Sequence, residues 1–287
     1  MSNKASVKPG VVEETAAVAT VDEEAVALMA SEGAVTTSPH AAIGQFEMPS
    51  EAMSAFPLSI KYAVSKQVDE SITDGSLMIG RKEERYALAK AGEPVNVILL
   101  GSRFYARQWL SGEDYMNGVE PKVYNSVEEA KTAGEVFPRD PKGRAKTCGE
   151  CCSLMMLVEK PTNLQNDGKF CVVIGGREYA PCELRVEKSA FFDFKPNFST
   201  KLLLVRNKKL TDSDGKVIRP ARVEDFLMTL TVRKKELKNG KIFYPALGNQ
   251  TDANGNPKML SLAEIEELRN IVAGDIRESD LDDDIAE

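Results

Sequence analysis

The apolar residues of this chain occur in short runs of strand length that are separated by turn residues. Val95–Leu100 and Leu154–Glu159 are runs of this kind, and Glu183–Lys188 alternates in strand fashion. Lys238-Asn239-Gly240 separates two more, and Asn-Gly is a strong signal for a β-hairpin. Short strands and few helical patterns predict a mainly β (α+β) fold. They favour a small OB-like β-barrel with a few short helices over a doubly wound sheet.

A few segments carry helix or loop signals instead. Ser261-Leu262-Ala263-Glu264 is a capping box, and it opens a helix whose apolar stripe is closed by Gly274. A second helix is predicted between Phe198 and Leu210, and a short one around Tyr86. Residues 111–147 are rich in Gly, Pro, Lys and Asp, which predicts a long surface loop.

Charge is segregated along the chain, and this divides it into parts. The formal net charge is −7, yet residues 1–56 and 275–287 each carry −6, which leaves +5 on residues 57–274. The Ala/Glu-rich N-terminal segment and the acidic C-terminal tail have too few large apolar residues to pack, so both are predicted to be disordered. The folded core is therefore expected over 57–260, followed by a helix at 261–274.

Several functional classes are excluded or weakened by what the sequence lacks. The only histidine, His40, lies in the N-terminal segment, so no Ser-His-Asp or Cys-His site can form on the folded part. No apolar run reaches the roughly 18 residues of a membrane span, and no signal peptide is recognisable, so we expect a cytoplasmic protein without a membrane partner. Scattered carboxylates weaken the alternative of a nuclease or another replication enzyme, and a non-catalytic role is expected.

The five cysteines are expected to be metal ligands or free thiols, because disulfides are rare in a reducing cytoplasm. A CxxC turn at Cys148 and Cys151 can direct two thiolates at one metal, and zinc takes four such ligands. With Cys171 and Cys182 the set is complete, which predicts one structural zinc ion; Cys152 is a substitute ligand. Plain buried thiols remain an alternative, and so does a redox pair, although the CxxC has no βαβ context.

The segment from Arg185 to Tyr244 combines positive charge with aromatic rings. It holds fifteen Lys or Arg residues and seven acidic ones. Single strands are bound by cations that follow the phosphates and by rings that stack on bases. The alternative is ordinary core phenylalanines beside solvated lysines. The candidate DNA-binding residues of this segment are Lys188, Phe191, Phe192, Phe194, Lys195, Lys201, Arg206, Arg233, Lys234, Lys235, Lys241, Phe243 and Tyr244.

A second candidate surface lies in the run Arg103-Phe104-Tyr105-Ala106-Arg107-Gln108-Trp109. Strand alternation would place Arg103, Tyr105, Arg107 and Trp109 on one face. Two guanidinium groups and two rings on one face suit contacts with both backbone and bases. A half-buried strand with Tyr105 and Trp109 in the core is the alternative.

The order of these parts resembles the single-stranded DNA-binding proteins of tailed phages, over roughly Gly75 to Gly274. The resemblance is one of layout, and its elements are Asp74-Gly75, Val95–Leu100, Arg103–Trp109, the loop Gly118…Pro121…Ser126, Cys148-x-x-Cys151, Cys171, Glu183–Ser189 and the hairpin ending at Tyr244. Relatives often carry a cysteine just after the loop proline, where this chain has Lys122-Val123-Tyr124. If that cysteine is a family ligand, Cys182 or Cys152 has to replace it here, or this protein binds no metal.

The resemblance implies an OB-type core that coats and protects single-stranded DNA, independently of sequence, during phage DNA replication or recombination in the cytoplasm of the infected bacterial host. The acidic tail is then expected to compete with DNA or to bind phage replication or recombination proteins, although it ends in Ala286-Glu287 and not in the Pro-Phe of bacterial tails. A merely solubilising tail is the alternative. A virion or scaffold protein with acidic assembly arms is the alternative class, and a steep loss of affinity with salt would distinguish a strand binder from it.

Overall fold

Residues 59–62, 72–80, 85–138, 141–165, 167–237 and 240–279 are described by a computed structural model of the chain. The predicted disordered segment 1–56 and the end of the predicted acidic tail, 280–287, lie outside these residues. Within them, no helix is long and apolar enough to cross a membrane.

Strands dominate the part of the chain that is described, which confirms the mainly β fold class. The strands are β1 (Ser59–Tyr62), β2 (Leu77–Ile79), β3 (Tyr86–Ala89), β4 (Val95–Gln108), β5 (Val123–Tyr124), β6 (Cys148–Glu159), β7 (Val172–Ile174), β8 (Arg177–Val186), β9 (Lys209–Thr211), β10 (Val217–Pro220), β11 (Leu227–Leu237) and β12 (Gly240–Asn249). The helices are α1 (Gly112–Met116), α2 (Val127–Thr132), α3 (Lys188–Arg206) and α4 (Leu262–Ser279).

Ten strands form one mixed sheet in the order β12-β11-β4-β6-β8-β1-β2-β3, with β5 added on β4 and β7 on β8. The pairing of β1 with β8 is parallel, and the other pairings within this sheet are antiparallel. Strands β9 and β10 form a separate hairpin. The predicted Asn-Gly hairpin is confirmed as the β11–β12 pair.

The sheet curls so that its two ends come together. The backbone N–H of Gly92, just after β3, donates to the carbonyl of Val232 in β11 at 3.1 Å. Gly75, with φ +79°, lies under the ring of Phe243 in β12, where a Cβ atom would come within 2.4 Å of a ring carbon. A side chain other than hydrogen would separate the two ends here. The result is a barrel-like, curled sheet, as the short strands predict.

Both faces of β4 are covered at Val97–Leu100, which explains the four consecutive apolar residues there. Val97 and Leu99 join the main core together with Phe194 and Phe198 of α3. Ile98 and Leu100 point to the opposite face and pack in a second cluster that includes the buried side of α4. Because successive strand residues alternate between faces, an apolar residue is needed at every position of such a strand.

Three local predictions are corrected by the structure. Val95–Leu100 and Phe104–Leu110 were expected to be separate strands but belong to one strand, β4, which carries a register irregularity between Leu99 and Gly101. Tyr86 begins strand β3, not a helix. The loop 111–147 contains α1, β5 and α2.

The helix boundaries also differ from the prediction. Helix α3 begins at Lys188, well before Phe198. Helix α4 begins with the predicted capping box, in which the Ser261 backbone N–H donates to Glu264 Oε2 at 2.7 Å. It continues past Gly274 to Ser279, so the first residues of the predicted disordered tail are helical.

Candidate nucleic-acid interface

The second half of β4 presents basic side chains on one face. Arg103, Tyr105 and Arg107 alternate along the strand and line one depression together with Arg185 of β8. We call these four residues the arginine face. Arg103 donates to Asn125 Oδ1 at 2.7 Å, whereas the ring of Tyr105 is buried among its neighbours. Strand alternation alone thus brings three of the predicted binding residues together.

An open groove of about 880 Å³ continues from the arginine face past the end of β4. We call it the aromatic groove. Arg107 and Pro121 line both depressions, so the two surfaces are continuous. The groove side chains suited to contact a nucleic acid are Arg107, Trp109, Tyr115, Lys146, Lys188 and Phe192.

Three aromatic rings surround this groove. Tyr115 on α1 is 75% exposed and Phe192 on α3 is 47% exposed. Trp109 is half-buried and lies against the backbone of Gly149, where a Cβ atom would come within 2.5 Å of the ring. The Nζ of Lys146 is 4.6 Å from the centroid of the Trp109 ring. The rings are therefore placed on different elements around one space.

The first residue of helix α3 lines the groove and has a strained backbone conformation. Lys188 has φ +56°, the left-handed conformation that costs a residue with a Cβ on the order of 1 kcal/mol or more. The preceding N-cap residue, Glu187, makes no side-chain hydrogen bond to the helix. Its carboxylate turns to the groove and pairs with Arg107 Nη1 at 2.7 Å.

Cations outnumber carboxylates along the two depressions. The lining cations are Arg103, Arg107, Lys146, Arg185 and Lys188, and the lining carboxylates are Glu120, Glu183 and Glu187. Burial would raise the pKa of Glu183, but hydrogen bonds from Arg185 and Ser153 hold that pKa below its ordinary value. The Glu183 carboxylate is thus charged at neutral pH and forms an ion pair with Arg185.

The predicted basic residues of the hairpin form a second exposed group. Arg233, Lys234 and Lys235 end β11, and Lys241 begins β12. Lys235 pairs with Asp193 at 2.5 Å, which places this hairpin beside the α3 turn that carries Phe192. Lys234 pairs with Glu236 and Lys241 with Asp74, so acidic neighbours moderate the charge of the hairpin.

Three predicted stacking residues are corrected by the structure. Phe191, Phe194 and Phe243 are buried, with exposed fractions of 1%, 0% and 7%, and they belong to the main core. On a helix, residues 191, 194 and 198 share one face, and that face of α3 packs into the sheet. Their burial removes them from a surface that could stack on bases.

The remaining predicted residues do not line the groove. Lys195 is half-buried, pairs with Glu150 at 2.6 Å and lies 5.6 Å from the ring centroid of Phe191. Lys201 and Arg206 occupy the second half of α3. Tyr244 is half-buried and packs against the main core.

The four predicted zinc ligands lie in different surroundings. Cys148 and Cys151 are three residues apart in the extended strand β6, so their side chains face opposite sides of the sheet. Cys148 packs in a small cluster with Tyr124, whereas Cys151 lines the aromatic groove. Cys182 is in the main core and Cys171 is exposed.

In this structure the four thiols predicted to be ligands are not brought together. Among the residues that the structure describes, no group of three or more His, Cys, Asp or Glu side chains is placed to hold a metal ion. Burial raises the pKa of Cys148 to about 11 and that of Cys151 to about 12, which keeps both thiols protonated. Cys152, the substitute ligand, is also in the main core, and burial raises its pKa too. Zinc binding stays a prediction.

Sequence reasoning missed three side chains of this interface: Tyr115, Lys146 and Arg185. The first two lie in residues 111–147, which have no strand or helix periodicity to orient them. Arg185 was inside the basic segment, and the strand alternation of Glu183–Lys188 was the signal that could have placed its side chain on one face of β8.

Searches of protein families, of curated proteins and of solved structures found no significant match to this chain.

Proposed function

We propose that this protein binds single-stranded DNA, without sequence preference, along the arginine face and the aromatic groove. One observation carries the proposal: the rings of Trp109, Tyr115 and Phe192 surround the same open groove as Arg107, Lys146 and Lys188. Cations beside a row of rings can hold phosphates while bases stack, and every base has a face that can stack.

The strand topology supports an OB-type barrel as the scaffold. In an OB fold, five strands form a partly open barrel, and nucleic acid lies across its second and third strands between two loops. Here β4, β6, β8, β11 and β12 follow the same antiparallel order, and α3 is inserted between β8 and β11. We infer that these are the five OB strands and that β1, paired with β8, takes the place where the fifth strand would close the barrel.

This assignment accounts for the position of the groove. The second and third OB strands would be β6 and β8; β6 pairs with β4, which carries three residues of the arginine face, and β8 carries the fourth, Arg185. The loop after the first strand would carry Trp109, Tyr115 and Lys146, and the loop between the last two strands would be the tip of the β11–β12 hairpin. Bound DNA would pass from the arginine face into the groove and towards Lys235.

The fluorescence of Trp109 provides the test, because it is the only tryptophan of the chain. We expect oligo-dT to change this fluorescence, duplex DNA to bind more weakly, and affinity for the single strand to fall steeply with salt. Replacement of Lys146 and Lys188 by Ala should reduce the salt slope by about 0.7 for each lost phosphate contact. Lys216→Ala, an exposed lysine on the β9–β10 turn, is the matched control.

A folded protein that neither responds to oligo-dT nor retains it on a filter would overturn the proposal. A virion or scaffold protein would then be the better class. Equal affinity for duplex and single strand would indicate a merely basic surface.

The wider role that we propose is coating of single-stranded DNA in phage replication or recombination, inside the host cytoplasm. Contacts with replication or recombination proteins through the acidic tail belong to this proposal. Pull-down with and without residues 275–287 tests them.

A further inference from the structure

The central cation of the proposed DNA site already holds an anion of the protein. Arg107 lies where the arginine face and the aromatic groove meet, and its Nη1 is 2.7 Å from Glu187 Oε1. The hydroxyl of Tyr105 lies 3.5 Å from the same oxygen. A DNA phosphate cannot bind this edge of the Arg107 guanidinium unless the Glu187 carboxylate moves away.

The position of Glu187 in the fold would allow it to move. It is the N-cap of α3, but its side chain makes no hydrogen bond to the helix, so leaving Arg107 would not uncap α3. The side chains of Arg107 and Glu187 are 33% and 25% exposed. Both side chains keep a solvent-exposed part, so the phosphates of a strand can reach the pair and compete with Glu187 for Arg107.

We propose that Glu187 is a displaceable counter-ion that occupies the phosphate site of Arg107 in the free protein and sets the affinity and salt dependence of strand binding. This inference rests on the proposed function and assigns one residue a role within it. The carboxylate disfavours small or isolated anions, since they gain little by replacing it. A DNA strand, which contacts the rings of the groove as well, displaces it.

The salt dependence gives this proposal a distinctive signature. A free arginine that binds a phosphate releases about 0.7 counter-ion from single-stranded DNA. When the arginine must leave a carboxylate, the displaced carboxylate attracts a cation in turn, and the net release is close to zero. Removing the charge of Glu187 should therefore raise affinity and steepen the salt slope.

The test compares Glu187→Gln with Glu266→Gln, an equal loss of charge at an exposed position of α4, a helix that lines neither the arginine face nor the aromatic groove. We expect Glu187→Gln to raise the affinity for oligo-dT by roughly two- to fivefold at low salt. Its salt slope should steepen by about 0.7. Glu266→Gln should change neither by a comparable amount.

A double-mutant cycle with Arg107→Gln separates action through Arg107 from a general field effect. In the Arg107→Gln background, Glu187→Gln should no longer steepen the slope. If Glu187→Gln fails to fold, Glu187→Asp replaces it. Asp is a good N-cap with a shorter reach, and it should also raise affinity by releasing Arg107.

The outcomes distinguish this inference from the function on which it rests. Wild-type protein that does not bind oligo-dT would contradict the proposed function itself. Wild-type protein that binds, together with a folded Glu187 variant whose affinity and slope equal those of the wild type, would overturn the counter-ion role alone. An equal gain in affinity for oligo-dT in Glu266→Gln would show that the effect of Glu187→Gln is only one of net charge.

Discussion

At the scale of single residues, Gly149 and Trp109 show how a backbone atom can determine a binding surface. The ring of Trp109 lies directly over Gly149, and any side chain at residue 149 would take the place of the ring. Trp109 is thereby held at the edge of the groove with its ring half-buried. This glycine was recognised in the sequence only as the bend of a presumed metal turn, whereas its role in the structure is to provide space.

We predict that Gly149→Ala pushes the Trp109 ring out of place. A Cβ atom 2.5 Å from Cζ2 of Trp109 forces the ring or strand β6 to shift, which should cost roughly 1–3 kcal/mol of stability. The emission of Trp109 and the affinity for oligo-dT should both change. Gly112→Ala is the control, because nothing lies within 4 Å of a Cβ atom there. Unchanged emission in Gly149→Ala would contradict the packing described here.

At the scale of elements, α3 connects the core with the proposed interface. One face of the helix supplies Phe191, Phe194 and Phe198 to the core, and the adjacent face presents Phe192 to the groove. Neighbouring phenylalanines in the sequence thus have opposite roles.

We predict that substitutions in α3 separate folding from binding. Phe194→Ala removes a fully buried ring and should lower the free energy of unfolding by about 3–5 kcal/mol. Phe192→Ala should change stability little, because the ring is exposed, but should weaken strand binding by roughly 1–3 kcal/mol through a lost stack. Denaturant titration and Trp109 fluorescence measure the two effects. Loss of stability without loss of affinity in Phe192→Ala would place the ring in the core.

Strand β6 carries three of the five cysteines, and the structure makes a prediction about their reactivity. Burial raises the pKa of Cys148 to about 11 and of Cys151 to about 12, and it raises the pKa of Cys152 and of Cys182 in β8 as well. Only a thiolate reacts readily with iodoacetamide. At pH 8 the native protein should therefore be modified mainly at Cys171, which is exposed.

Mass spectrometry checks this result, with urea-unfolded protein as the control for full modification. The same sample tests the zinc prediction by elemental analysis, since about one zinc per chain was expected. Zinc together with protection of Cys171 would indicate that β6 and β8 rearrange to bind a metal. Rapid modification of several cysteines in the native protein would contradict the burial described here.

At the scale of the whole molecule, charge is divided between a basic core segment and an acidic tail. We predict that removing residues 275–287, which carry net −6, raises the affinity for single strands, most clearly at low salt where screening is weak. Ile265 and Leu268, the buried residues of α4, remain, so folding should survive. Circular dichroism checks the fold. Unchanged affinity at low salt would leave partner binding as the role of the tail.

Local patterns in the sequence were sufficient for the fold class and for several elements. The strands that flank Asn239-Gly240 in the sequence pair as the predicted hairpin, because turn chemistry is local. The capping box at Ser261 also depends only on neighbours in the chain. The alternation that places Arg103 with Tyr105 and Arg107 follows from strand geometry alone.

The tertiary structure decided which rings are buried and which charges are paired. Whether Phe191 or Phe192 is buried could not be decided until the start of α3 was known. A strand and a helix have different periods, so they place different residues on the same face as Phe194. Glu187 is 80 positions from Arg107 in the chain, and they meet only through the register that pairs β4, β6 and β8. Such contacts depend on long-range strand pairing, which no local window of sequence contains.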